Sequence, residues 1–280
     1  MTTHTAVPFP ATEPRARFPD LLAAEWIKMR SLRSTRWTLL CTVLFVVGSA
    51  AVAALADYRN QSHHSPPGQR LQLFTLSDAF PAAGYLTLML AAGSVGAITV
   101  VSEYGSGLIR TTMVAVPARG SVVLAKALVL AALWTVLGTL TATVSFALSQ
   151  SILNGWHPAF PITHPHAVRA LAASALVAPV CALIGLGLGT LIRHSAATMV
   201  TTAFTLLMLP PIFSSGTRWS ADLRHAMVQS SWARLVEGWD PPPGDRFAYA
   251  ATVTGSWVAY LLWPLIAVTL AVVAVRRRDV

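Results

Sequence analysis

Six stretches of this chain contain no Asp, Glu, Lys or Arg: 37–56, 79–102, 127–156, 170–192, 194–217 and 247–275. Each is long enough to cross the hydrocarbon core of a bilayer as a helix, which takes about 20 residues. Inside lipid, every backbone N–H and C=O must find its partner within the segment, so apolar runs of this kind are helical. The expected fold is therefore all-α: a polytopic membrane protein with six transmembrane helices. The balance of side chains agrees. Only 11% of residues are charged, against roughly 25% in soluble domains. Pro210-Pro211 is expected to end or kink the fifth span, and Pro264 to kink the sixth. No window carries a central acidic or basic residue. That argues against a proton- or ion-coupled carrier, which needs such a group in the membrane.

The net charge of +9 would point to nucleic acid in a soluble protein. Here the basic residues cluster at the ends of apolar runs, so no nucleic-acid partner is expected and topology is the better explanation. With the amino end inside, thirteen Lys and Arg fall in inside segments and seven in outside ones. Both termini are then cytoplasmic, as an even span count requires. Residues 1–20 carry Pro8, Pro10, Pro14 and Pro19 and no apolar core of a signal peptide, and are expected to be a disordered cytoplasmic tail. Residues 21–280 form the six-span membrane domain. It opens with an interfacial helix over 21–36, where Leu22, Trp26, Met29 and Leu32 recur at helical spacing. Glu25, Lys28, Arg30, Arg33 and Arg36 take its other faces, the pattern of a basic amphipathic helix lying in the membrane interface. The loop at 214–247 falls outside. Its charges exclude a span, and Leu223, Met227, Trp232 and Leu235 form a short amphipathic piece on the surface, stopped by Pro241-Pro242-Pro243.

The loop at 102–126 falls inside and is the most informative connection. Gly105 and Gly107 open it; Pro117 and Gly120 close it. Between them Leu108, Ile109, Thr112, Met113 and Val116 share one helical face. Two turns of helix do not hold themselves together in water. Presented at a membrane surface, such a helix is a docking element for a soluble partner, its apolar face filling a groove. The chain's own chemistry is sparse. It has no phosphate loop, because no Lys-Ser or Lys-Thr follows Gly105-Ser106-Gly107. Gly185, Gly187 and Gly189 lie inside an apolar window, where close helix packing explains them. His63, His64, His157, His164 and His166 fall in outside loops as solvated side chains, and Cys41 and Cys181 sit in apolar runs as packing residues. No catalytic residue, cofactor or metal is expected, and any energy for transport must come from another chain.

The chain resembles the membrane subunit of type 2 ABC exporters, of the kind common in actinobacteria. The resemblance runs from about Leu21 to the end. It is carried by Glu25-Trp26-Ile27-Lys28, Glu103-Tyr104 with Gly107, Ile109-Arg110-Thr111-Thr112 leading to Val116-Pro117, and Lys126-Ala127-Leu128. It implies a connecting helix at the cytoplasmic surface and a coupling helix after the second span, seated in a separate ATPase subunit that binds the ATP. It also implies re-entrant helices before the last span, a second permease copy or paralogue, and a plasma-membrane location. Glu103 and Arg110 are then the expected polar contacts to the ATPase, with Leu108, Ile109 and Met113 in its groove. The implied function is ATP-driven export of a drug-like, lipid or peptide substrate. A non-transporting structural or regulatory membrane protein and an intramembrane enzyme are the competing classes.

Overall fold

The computed structural model describes residues 17–31, 33–64, 76–115, 119–154, 162–213, 216–237, 249 and 251–277. The tail at 1–16, Leu32, Val116-Pro117, His157, Pro241-Pro242-Pro243 and Arg278 lie outside the described residues, as do the side chains of Arg33, His63, His64, Arg110 and Met113.

The described residues form helices α1 (Phe18–Ser31), α2 (Arg33–His64), α3 (Ala82–Gly105), α4 (Leu108–Ala115), α5 (Arg119–Leu153), α6 (Pro165–Ile192), α7 (Ser195–Ile212), α8 (Arg218–His225), α9 (Val228–Val236) and α10 (Val253–Arg277). Among them α2, α3, α5, α6, α7 and α10 are long and apolar enough to cross a membrane. The stretch expected as one interfacial helix over 21–36 holds α1 up to Ser31 and the first residues of α2, with Leu32 between them outside the described residues. Arg36 donates from its Nε to the Arg30 carbonyl at 3.0 Å.

Helix α6 is the axis of the bundle, packed against α3, α5 and α10. Small residues let the backbones approach. A Cβ on Gly185 would stand 1.9 Å from the Gly93 carbonyl oxygen, and one on Gly96 would stand 2.0 Å from that of Ala182. A Cβ on Gly138 would stand 2.2 Å from the Ala175 carbonyl oxygen. Lipid tails are as apolar as leucine, so spans associate through this kind of close fit rather than through exclusion of water. Pro165 stands in the first turn of α6, and His164 caps it by accepting from the His166 N–H at 3.3 Å. One of the expected loop histidines is thus a helix cap.

Helix α7 changes its winding. Its π-helical turn, Phe204–Met208, comes just before Pro210-Pro211, and the Leu209 N–H reaches back to the Phe204 carbonyl. Neither proline offers an N–H, so carbonyls one turn earlier lose their usual donors; the wider turn re-routes the ladder, and the helix stops at Ile212. Helix α10 runs on through Pro264, and α6 through Pro179.

The interval expected to lie on the surface does so only in part. Leu223 on α8 is exposed, but Met227, Trp232 and Leu235 are buried. The Trp232 indole enters the bundle, stacks on Tyr85 at 4.9 Å and donates to Ser174 Oγ at 3.2 Å. A buried indole N–H needs such a partner, and α6 provides it. Arg234 is 9% exposed and donates to the Ala251 carbonyl at 2.7 Å, so its charge end is used as an internal clamp.

Replacing Gly185 by Leu should separate α3 from α6. The contacting atoms are backbone and cannot step aside, so the cost should reach or exceed the 1–3 kcal/mol typical of overpacking. The variant is expected to aggregate on detergent extraction under conditions in which Gly48→Leu, which meets open space, elutes as the parent does.

Candidate functional site

Four charged side chains from three helices close into a ring at one end of the bundle. Glu25 and Lys28 are one helical turn apart on α1 and bond to each other, Lys28 Nζ to Glu25 Oε1 at 2.8 Å. Lys28 Nζ also meets Glu103 Oε1 near the end of α3, at 3.0 Å. Lys126 on α5 bonds the same Glu103 Oε1 at 2.9 Å and closes the circuit on Glu25 Oε2 at 2.5 Å. Signs alternate around the ring, and two acids balance two bases. Glu25, Glu103 and Lys126 are 4%, 7% and 7% exposed, while Lys28 reaches the surface.

Burial by itself pulls the Lys28 ammonium down. Its hydrogen bonds to Glu25 and Glu103, and their charges, outweigh that and hold it above the ordinary 10.5. For a base held high, the stabilising share is in place below the unfolded value and is lost as pH climbs through the folded one. Lys28 therefore stays charged across the whole neutral range.

The ring decides which way α1 faces. Spacing places Glu25 with the other charges, away from the face of Leu22, Trp26 and Met29; instead Glu25 is turned inward with Met29, while Trp26, Ile27 and Arg30 face away from the bundle. The correction has a simple cause. A carboxylate is buried when two ammonium groups meet it, and hydropathy periodicity cannot see partners on other helices. The ring also fixes Glu103, whose carboxylate is taken by lysines of its own chain.

Beyond α3 the chain turns through Gly107, at φ +73°, into α4. Leu108 is exposed and Ile109 is not. Ile109 was expected on the docking face; it points into its own chain, where it, Val100, Val123 and Val275 wall a void of about 20 Å³. A larger cleft of about 310 Å³ opens beside the ring, lined by Lys28, Ser102, Ser106 and Leu108 among others. The backbone of Arg110 and Met113 continues α4.

A second cationic contact flanks the ring, unforeseen in the sequence. Arg193 ends α6 in the left-handed region, φ 61°, and its guanidinium lies 4.8 Å from the Tyr104 ring centre. On α10, Arg276 reaches Gly120, its Nε only 2.8 Å from where a Cβ would stand. The ends of α3, α6 and α10, the start of α5 and all of α1 thus share one end of the bundle. The start of α6 lies at the other, where Arg169 donates to the Leu235 carbonyl at 3.1 Å. The sequence signal for the ring was present but quiet: two lysines and two glutamates beside span ends in a chain with few charges.

Six helices long and apolar enough to cross a membrane, with a buried ion ring and a short helix beside it, make this a multi-pass membrane protein by architecture. The particular family is shown by sequence: a model of the ABC-2 family transporter proteins matches residues 21–209. The chain belongs to that family, whose members are membrane components of transporters rather than catalytic enzymes. No curated protein matches the chain significantly. The matched region includes α1 from Leu21, the whole ring and α4, and stops before α8.

Removing one partner of a buried pair strands the others and typically costs about 3–5 kcal/mol. Glu103→Gln should therefore lower the thermal midpoint of the detergent-solubilised chain strongly, and adding Lys126→Met to it should recover much of the loss by restoring neutrality. Fluorescence-detected size exclusion after heating reads both. Gly107→Ala should cost about 1–2 kcal/mol for a Cβ in a left-handed turn, whereas Gly105→Ala, with open space and no positive φ, should be silent.

Proposed function

We propose that this chain is the permease subunit of an ATP-driven exporter in the plasma membrane, with the ring end of the bundle in the cytoplasm. A separate ABC ATPase subunit binds and hydrolyses the ATP. A second permease copy or a paralogue completes the pathway. The cargo class is drug-like, lipid or peptide. The observation that carries the reading is the position of α4: eight residues, joined to α3 on one side and α5 on the other, beside a ring that ties both spans to α1. Membership of the ABC-2 family supports it, as does the absence of any phosphate loop in the sequence. The excess of basic residues on this side supports the orientation.

In this mechanism ATP draws two ATPase subunits together beneath the permease pair. Each ATPase seats α4 in a groove, with Leu108 and the α4 face bearing Met113 as apolar contacts and Arg110 as a polar one. Glu103 acts on the joint through the ring, by holding α3 to α5 and α1, rather than by touching the partner. A push on α4 then moves the three helices as one lever. The cleft beside the ring gives the partner's side chains a place to enter.

Leu108 is the clean test, because its exposure separates docking from folding. Leu108→Asp is expected to reach the membrane at parental abundance, to lose its ATPase subunit on co-purification and to lose transport. Thr111→Ser should change nothing. Normal retention of the ATPase by the Asp variant would mean that α4 is only a solvated connection. The purified chain alone should hydrolyse no ATP, measured by phosphate release.

A further inference from the structure

The end of the bundle opposite the ring holds a cleft of about 600 Å³ between α8 and α10. That is room for a drug-sized molecule. Its floor is apolar: Val258, Leu262 and Ile266 follow one another at helical spacing along α10 and remain about half exposed. Its head is polar, with Asp222 and His225 of α8. Trp263 stands between the two parts, its orientation fixed by donation from Nε1 to the Ala226 carbonyl at 2.7 Å.

The formal charge of the lining decides the ligand. Among the described residues Asp222 is the one formally charged group in its lining; Arg218 and Arg224, on the same helix, do not line the cleft. Burial and then the charge of Arg224 hold the His225 imidazole below its ordinary value, with Asp222 pulling weakly the other way. At neutral pH His225 is therefore uncharged and leaves the carboxylate uncancelled. A carboxylate and an indole together attract an ammonium group, the indole through its π face. The trough along α10 takes an apolar body in the direction of the membrane. We propose that this cleft binds an amphiphilic amine, its cationic head between Asp222 and Trp263 and its tail along Val258, Leu262 and Ile266. The proposal stands apart from the docking of an ATPase, since cleft and ring lie at opposite ends.

The test is equilibrium binding of radiolabelled dodecyltrimethylammonium, below its micellar concentration, to the full chain in phosphatidylcholine nanodiscs, with empty discs as background. The parent is expected to show a saturable component. Asp222→Asn should weaken it by about threefold to fivefold, the worth of an exposed ion pair; Asp222→Glu should keep it; Leu262→Ala should weaken it less. Asp222 is exposed, so its variants should elute as the parent does. Dodecyl sulfate should not compete. Three results overturn the proposal: unchanged affinity in Asp222→Asn, equal competition by dodecyl sulfate, or no saturable component in the parent, the last meaning that bilayer phospholipid or a second copy of the chain covers the cleft. Each leaves the co-purification test of Leu108→Asp unaffected.

Discussion

The ammonium group of Lys126 lies between two carboxylates that belong to two other helices, and much of the charged end depends on that contact. An isolated ammonium in this position would be expelled or would give up its proton, because moving an ion out of water costs several kcal/mol even after relaxation. Glu25 and Glu103 remove the difficulty only if α1 and α3 are both in place. The ring therefore acts as a condition on assembly. Three helices must arrive together, and each is held by charges that would be costly alone. Gly185, Gly96 and Gly138 set the bundle's close spacing farther along, and the ring sets which helix faces which at its end.

What could be read from the sequence divides along the same line. The spans were legible because lipid imposes a local rule: an uncharged run of the right length has to be a helix. Their stops were legible where proline removes a donor, as at Pro210-Pro211. The short helix after the second long span was legible as well, through Gly107 and the apolar repeat that follows it. The direction of Glu25 was not. Its partner Lys126 is 101 residues away, and Lys28 meets Glu103 across 75. Periodicity within 21–36 has no access to such pairs and assigns every charge to the outside. Ile109 fails for the related reason that an apolar residue on a short helix fits either a partner or its own chain equally well.

Helix α9 makes the same point with a neutral residue. Trp232 on an amphipathic segment is usually taken to rest at an interface, where its ring is in lipid and its N–H in water. Here the N–H is satisfied by Ser174, 58 residues earlier in the chain, so the ring enters the bundle and α9 follows it. The hydroxyl on α6 carried no signal of its own, since serine in a span most often bonds back to its own helix.

The neutrality of the ring has an electrical consequence. A living membrane holds a voltage, and moving one net charge across it takes or releases about 2.3 kcal/mol per 100 mV. Glu25, Lys28, Glu103 and Lys126 sum to zero. If they travel together, however far, the field does no net work on them. A joint built from the lysines alone would tie the motion of these helices to the resting potential. Pairing each lysine with a glutamate keeps the ring itself out of that coupling, so any response of this end to voltage falls to its arginines.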